Sequence, residues 1–329
     1  LTHGPITGHL VAMAIPMMVG MLVQTLYFVV DLYFVAQLGE QSLAGVGAAG
    51  TFGFVVMALT QMLGVGTGTL IAHGAGAKDQ AQASLVFNQS LALAAVCAGV
   101  TLVAGYALIG PYMRGLGADA GPAEAGAAYL RWYLPGLALQ FALISMGSAL
   151  RGTGIAKPMM VVQLGTVLVN TALAPVLIAG WGTGRVFGVA GAGLASALAI
   201  VVGVVLMLAY FRRLEHYVGF RREECRPRLH VWKRVFDIGF PAGGEFALMF
   251  VYLATIYHVI QPFGAEAQAG FGVGQRVMQA MFLPAMAIAF AVAPVAGQNY
   301  GARNAARVRE TFVRATVLGS ALMFAVMLV

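Results

Sequence analysis

Charge is what this chain has least of. Of its 329 residues only 9% are Asp, Glu, Lys or Arg, and 60% are hydrophobic; the mean hydropathy is +0.84. A soluble domain carries about a quarter of its residues as charges, so a water-bathed globule is excluded. Cysteine is nearly absent. Cys97 stands in an apolar run and Cys225 in a basic loop, which removes a disulfide framework and a zinc module alike. No helix face is rich in histidine and no aspartate pair falls at bilayer depth; His73 and His258 are isolated near span ends. An intramembrane enzyme needs a metal cluster or a paired nucleophile and base, so enzymatic function is not expected. The net charge of +7 comes from basic residues in the gaps between apolar runs, so no nucleic-acid partner is expected. Gly64-Val-Gly-Thr-Gly looks like a phosphate loop, but it lies in an apolar helix and follows no strand.

What the chain does have is long apolar runs. Nine stretches, at 9–37, 43–73, 82–110, 122–150, 157–180, 187–211, 235–262, 266–298 and 305–329, are long enough to cross a bilayer as helices. The pattern predicts an all-α polytopic membrane protein. The opening stretch is polar and short, and the first apolar run is too long for a signal peptide. One set of alternating connections holds Lys78, Arg151, Lys157, the basic stretch from Arg212 to Arg234, Arg303, Arg307 and Arg309. The opposite set holds little beyond Arg114 and Arg185. Lys and Arg mark the cytoplasmic side. The expectation is a multi-pass protein of the inner (plasma) membrane with its amino terminus inside.

The chain also repeats itself. Pro16 and Pro241 stand 225 residues apart, and Pro16–Lys78 maps onto Pro241–Arg303 without a gap. Tyr27 falls on Tyr252, Gly39 on Gly264, and Gly76-Ala-Lys78 on Gly301-Ala-Arg303. Two-lobed bundles made by duplication are the build of secondary transporters. The reading is therefore a two-lobe helical bundle: residues 1–211 as a first six-helix lobe, 212–234 as a cytoplasmic basic linker, and 235–329 as the first three helices of a second lobe. The repeat predicts about three further helices beyond Val329, which leaves the second lobe incomplete and the chain truncated.

An ionisable residue inside a span costs at least a few kcal/mol and is a functional candidate by default. Gln24, Tyr27 and Asp31 stand at i, i+3 and i+7 on one face of the first helix. Together they could hold a proton or a small cation; the alternative is that Asp31 reaches water at the outer end. Pro16 lies below them and should bend the helix, either as a coupling element or as a static kink, and Pro241 repeats it. Asn170 in the fifth span is a buried amide, open to ligation or to helix packing. Ser196 follows the small-residue run from Gly188, where a serine more often bonds its own backbone. The second copy offers Glu245 and Arg276, each facing a cavity, with Arg276 equally suited to anchor backbone carbonyls.

Taken together these motifs resemble the multidrug and toxin extrusion (MATE) family. The first helix, from Ala14-Ile-Pro-Met to Asp31-Leu-Tyr-Phe-Val-Ala-Gln-Leu-Gly, is similar to that family's proline-containing first helix. Leu150-Arg-Gly-Thr-Gly-Ile-Ala-Lys-Pro resembles its fourth-to-fifth connection, and Val295-Ala-Gly-Gln-Asn-Tyr-Gly-Ala-Arg its eighth-helix end. The resemblance implies a twelve-helix, two-lobed exporter with a V-shaped cavity, in which H⁺ or Na⁺ enters as organic cations or other amphipathic drugs leave. It implies no cofactor beyond the coupling ion, and a monomer. It places Asp31 as the central carboxylate, with Gln24, Tyr27, Asn170 and Ser196 in support. Two departures stand out. Ala174 replaces a second carboxylate one turn after Asn170, which weakens the case for Na⁺ and favours H⁺. Met249 stands where some members carry glutamate, and Glu245, one turn earlier on the same face, is the candidate substitute. The expected function is a cation-coupled drug antiporter working by alternating access. The alternatives are a flippase for a lipid-linked saccharide, which wants several cavity arginines, and a truncated product that does not transport.

Overall fold

The computed structural model describes residues 1–115, 120–182, 184–213, 215 and 217–328. Among them are nine long helices and no strand. They are α1 (Ile6–Ala36), α2 (Glu40–Gly76), α3 (Gln80–Gly115), α4 (Ala120–Thr153), α5 (Lys157–Ile178), α6 (Gly188–Arg213), α7 (Leu229–Ile260), α8 (Ala265–Gly301) and α9 (Ala305–Met327). All nine are long and apolar enough to cross a membrane. The fold is an all-helical, polytopic membrane bundle.

The sequence reading misplaces one boundary in particular. The basic stretch 212–234 is not one linker. The seventh helix begins at Leu229, so Lys233 and Arg234 belong to its first turns, and a short 3₁₀ turn covers Arg222–Cys225. Charged residues suppress a hydropathy signal without suppressing helix formation, because Lys and Arg are good helix formers. The remaining segment is tied down rather than loose. Asn88 and Gln89 are adjacent and fully buried in α3. Asn88 Nδ2 donates to the Gly219 carbonyl (2.9 Å) and the Glu224 carboxylate (3.0 Å), while its Oδ1 accepts from Arg221 N–H (3.0 Å). Gln89 Nε2 donates to the Arg226 carbonyl (2.7 Å) and to that of Glu224, and its Oε1 accepts from Arg228 N–H (2.8 Å). These bonds satisfy backbone groups that would otherwise be stranded at the membrane boundary.

The sequence repeat is written into the backbone. Gly39 and Gly264 open α2 and α8 with φ of 101° and 88°. Lys78 and Arg303, which follow the ends of α2 and α8, both take the left-handed conformation, at φ 59° and 56°. Asp79 and Asn304 then each accept a backbone N–H from the first turn of the next helix. Contacts between the copies obey the same register. A Cβ on Gly76 would collide with the Gln298 carbonyl, and one on Gly301 with that of His73. His73 and Gln298 are themselves repeat equivalents, so α2 and α8 cross backbone to backbone about a local two-fold. The Gly64–Gly68 run of α2 is a helix-packing surface. Gly64 faces Ile144 and Ser148 of α4, and Gly66 meets the Val235 carbonyl of α7.

Small residues drive close helix approach in a bilayer, and the α2–α8 crossing gives a direct test. Gly76→Ala forces a methyl group against a peptide carbonyl and is expected to destabilise by about 1–3 kcal/mol. Gly99→Ala, where a Cβ would meet nothing within 4 Å, is expected to be neutral or slightly stabilising. Thermal midpoints of the two variants in detergent check the difference.

Candidate functional site

The site is built by four helices that reach one point: α1, α4, α5 and α6. Its closeness comes from glycine. A Cβ on Gly193 of α6 would strike the Tyr129 carbonyl of α4, and one on Gly191 would strike the Leu177 carbonyl of α5. Ser196, one turn after Gly193, is thereby carried into the interior and is fully buried. Tyr27 Oη donates to Ser196 Oγ at 2.6 Å. Asn170 Nδ2, from fully buried Asn170 in α5, lies 3.4 Å from both the Tyr27 and the Ser196 oxygens. Three residues proposed from widely separated parts of the sequence therefore share one hydrogen-bonded cluster.

Asp31 lies one turn beyond Tyr27 and is 7% exposed. It does not reach water freely at a helix end. Among the described residues no Lys, Arg or His pairs with it, and its Oδ1 has no hydrogen-bond partner. Asn170 Oδ1 is also unpartnered. Two buried oxygen acceptors without donors, on neighbouring side chains of α1 and α5, are unusual in a native structure and call for a functional or structural explanation. Ala174 is fully buried one turn past Asn170, so the first copy brings a single acid to this point.

A family model described as MatE matches residues 16–176 and 241–329. The chain belongs to the MatE family. The multidrug export protein MepA of Staphylococcus haemolyticus is 26% identical over 95% of this chain, which spans 68% of that relative. The Staphylococcus aureus MepA is 25% identical over 99% of the chain, spanning 71% of that protein. Among solved structures, an outward-facing multidrug resistance MATE transporter of the MOP superfamily superposes with a TM-score of 0.92 at 29% identity, covering 98% of this chain and 71% of the other. A MOP superfamily transporter from Pyrococcus furiosus, described as having a binding pocket of reversed polarity, gives 0.91 at 29% identity over the same shares. The family is one of membrane transporters.

Within this MatE chain the remaining expected residues divide. Gln24 is exposed and among the described residues makes no hydrogen bond to the cluster. It stands on the same face as Asp31, two turns away. Pro16 and Pro241 both lie inside uninterrupted helices. Glu245 and Met249 are exposed on α7. Glu245 is the repeat equivalent of Gly20, whose missing side chain faces Gln163 of α5 within the first copy. The side chain of Arg276 lies outside the described residues. Asp31 has no acidic counterpart, since the equivalent position is Ile256.

Sequence reasoning missed the aromatic wall. Tyr129 and Tyr133, one turn apart on α4 with ring centroids 5.2 Å apart, both lie within electrostatic reach of Asp31, and Tyr129 sits beside Ser196. The available signal was two phenols at i and i+4 in an apolar span, which aims them at one neighbour.

Stability separates the roles of these groups. Asp31→Asn removes a buried, uncompensated acid and is expected to leave the thermal midpoint unchanged or raised. Ser196→Ala removes the acceptor of the Tyr27 hydroxyl and is expected to cost about 1 kcal/mol. Paired thermal unfolding in detergent reads both.

Proposed function

We propose that this chain works in a multidrug exporter driven by protons, with Asp31 as the group that exchanges a proton for a drug. The observation that carries the proposal is the buried, unpaired Asp31 carboxyl with its orphaned oxygen beside Asn170, Tyr27 and Ser196. A carboxylate there is buried and, among the described residues, has no basic partner, so its charged form is costly. Protonation removes that cost. A proton also suits a site with one acid: it needs a single oxygen, whereas a sodium ion needs several charged or carbonyl oxygens around it. Among the described residues no group of three or more acidic, His or Cys side chains could hold a metal ion. The multidrug export relatives support drugs as the substrate class, and organic cations suit an acid that must lose its proton.

Antiport follows from linkage. If protonated Asp31 favours one arrangement of the bundle and bound drug favours the other, each ligand expels the other without contact between them. The basic connections lie on the cytoplasmic side by the positive-inside rule, so the exporter takes drug from the inside and protons from the outside.

Dye export from vesicles loaded with the reconstituted protein tests this reading. An imposed pH gradient is expected to drive export and a sodium gradient at constant pH is not. Asp31→Asn is expected to lower export by at least about tenfold. Export by that variant at the wild-type rate contradicts the proposal.

A further inference from the structure

The face of α6 opposite Ser196 looks into the lipid. Val201 and Val205 are exposed on it, and Val205, two and a half turns after Ser196, points away from the acid cluster. Along this face Val205, Leu208, Ala209, Arg212 and Arg213 line a groove of about 390 Å³. Residues spaced in this way form one helical stripe, so the groove is apolar along its length and ends in two arginines. With 26 residues α6 is about 38 Å long, which exceeds the hydrocarbon core of about 30 Å. Its last turn, with both arginines exposed, therefore stands in the headgroup layer, on the side of the other basic connections.

No acid answers this pair. Among the described residues Arg221 pairs with Glu224 and Arg314 with Glu310, and no carboxylate pairs with Arg212 or Arg213. The nearest acid in sequence, Glu215, is buried, and its carboxylate accepts the Tyr217 N–H at 2.8 Å. Lys157 adds a third charge. Gly165 of α5 faces Leu206 of α6, and the antiparallel run from there brings exposed Lys157 to the level of Arg213. A second groove, of about 460 Å³, shows the neutralised counterpart; Thr7 of α1 and Val313, Arg314 and Val317 of α9 are among the residues that line it. There Arg314 is held by Glu310 at 2.7 Å and reaches Thr7 at 3.5 Å. The two grooves are similar in size, but only the one on α6 ends in unpaired charge.

We infer that the groove at the end of α6 is a binding site for an anionic phospholipid, with the phosphate between Arg212 and Arg213 and an acyl chain along Val205, Leu208 and Ala209. A guanidinium meets a phosphate with paired N–H donors. The apolar stripe below the arginines offers about 10 Å of surface to a chain, so phosphate alone uses only part of the site. A zwitterionic lipid carries its own cation in the headgroup and gains less from two arginines. By the positive-inside rule the pair lies on the cytoplasmic side, where basic pockets at helix ends meet anionic headgroups. A bound lipid favours the folded bundle by mass action. It also gives a partner to the free end of the helix that carries Ser196 on its other face.

Native mass spectrometry and thermal midpoints of the purified protein in detergent test the site, with phosphatidylglycerol, phosphatidylcholine or glycerol 3-phosphate added. Phosphatidylglycerol is expected to stay bound and to raise the midpoint, and the other two to do neither. Arg212→Gln with Arg213→Gln is expected to weaken phosphatidylglycerol binding about thirtyfold. Arg303→Gln with Arg309→Gln removes the same charge from exposed positions around the start of α9 and is expected to leave binding nearly unchanged. Ala209→Phe, at an exposed position, fills the groove with both arginines intact and is expected to abolish binding. Equal losses in the two arginine doubles reduce the effect to a diffuse basic surface and overturn the inference. A midpoint shift by glycerol 3-phosphate as large as the lipid's makes the site one for free phosphate and overturns it too, as does undiminished binding in Ala209→Phe. Self-association that Ala209→Phe abolishes while phosphatidylglycerol stays bound assigns the groove to a second copy instead. Neither readout requires transport, so the outcome is independent of the exporter proposal.

Discussion

An acid held among apolar helices without a basic neighbour has only two comfortable states: protonated, or next to something positive. That constraint organises the rest of this structure. Asp31 is buried, and among the described residues no basic side chain pairs with it. Around it stand groups that are polar but uncharged: a phenol donating to a hydroxyl, an amide with a free carbonyl oxygen, and two further phenols. Such groups can orient a carboxyl without fixing its charge. A lysine or arginine in their place would lock the site in the ionised form and end any exchange.

The second constraint is geometric. Two copies of one bundle can rock only if they share a seam, and the seam here is made of backbone. The reciprocal contacts of Gly76 with Gln298 and of Gly301 with His73 bring α2 and α8 together without intervening side chains. Contacts of this kind are lost abruptly when helices part, because nothing flexible bridges the gap. A seam of small residues is therefore well suited to two discrete arrangements. The first helix runs from α8, against which Ile6 and Leu10 pack, to the acid.

Much of this was legible in the sequence, for reasons that can be named. Apolar length fixed the existence of the nine helices, and repeat register related Lys78 to Arg303 and Gly39 to Gly264, whose backbone conformations agree. Asp31, Tyr27 and Asn170 stood out because polar side chains in apolar spans need partners; Ser196 was expected to bond its own backbone and entered only through the family resemblance, whereas it accepts from Tyr27. Gln24 shares a helix face with Asp31 but is exposed, because a shared face does not mean a shared degree of burial along a long helix. Tyr129 and Tyr133 were overlooked because tyrosine is ordinary at membrane depth. The start of α7 was misplaced because its first turns are charged, and the order in the preceding segment was hidden because its partners, Asn88 and Gln89, are two adjacent amides in a different helix. A single sequence shows which residues lack partners but not where those partners are.

The central claim is that the Asp31 carboxyl changes protonation as drug binds. Difference infrared spectroscopy of the reconstituted protein, with and without an exportable organic cation at fixed pH, reads this directly. The account expects the band of a protonated carboxyl to disappear on drug binding, and expects Asp31→Asn to lack that change. A wild-type spectrum whose carboxyl bands are indifferent to drug, or an identical change in the Asp31→Asn variant, would contradict it.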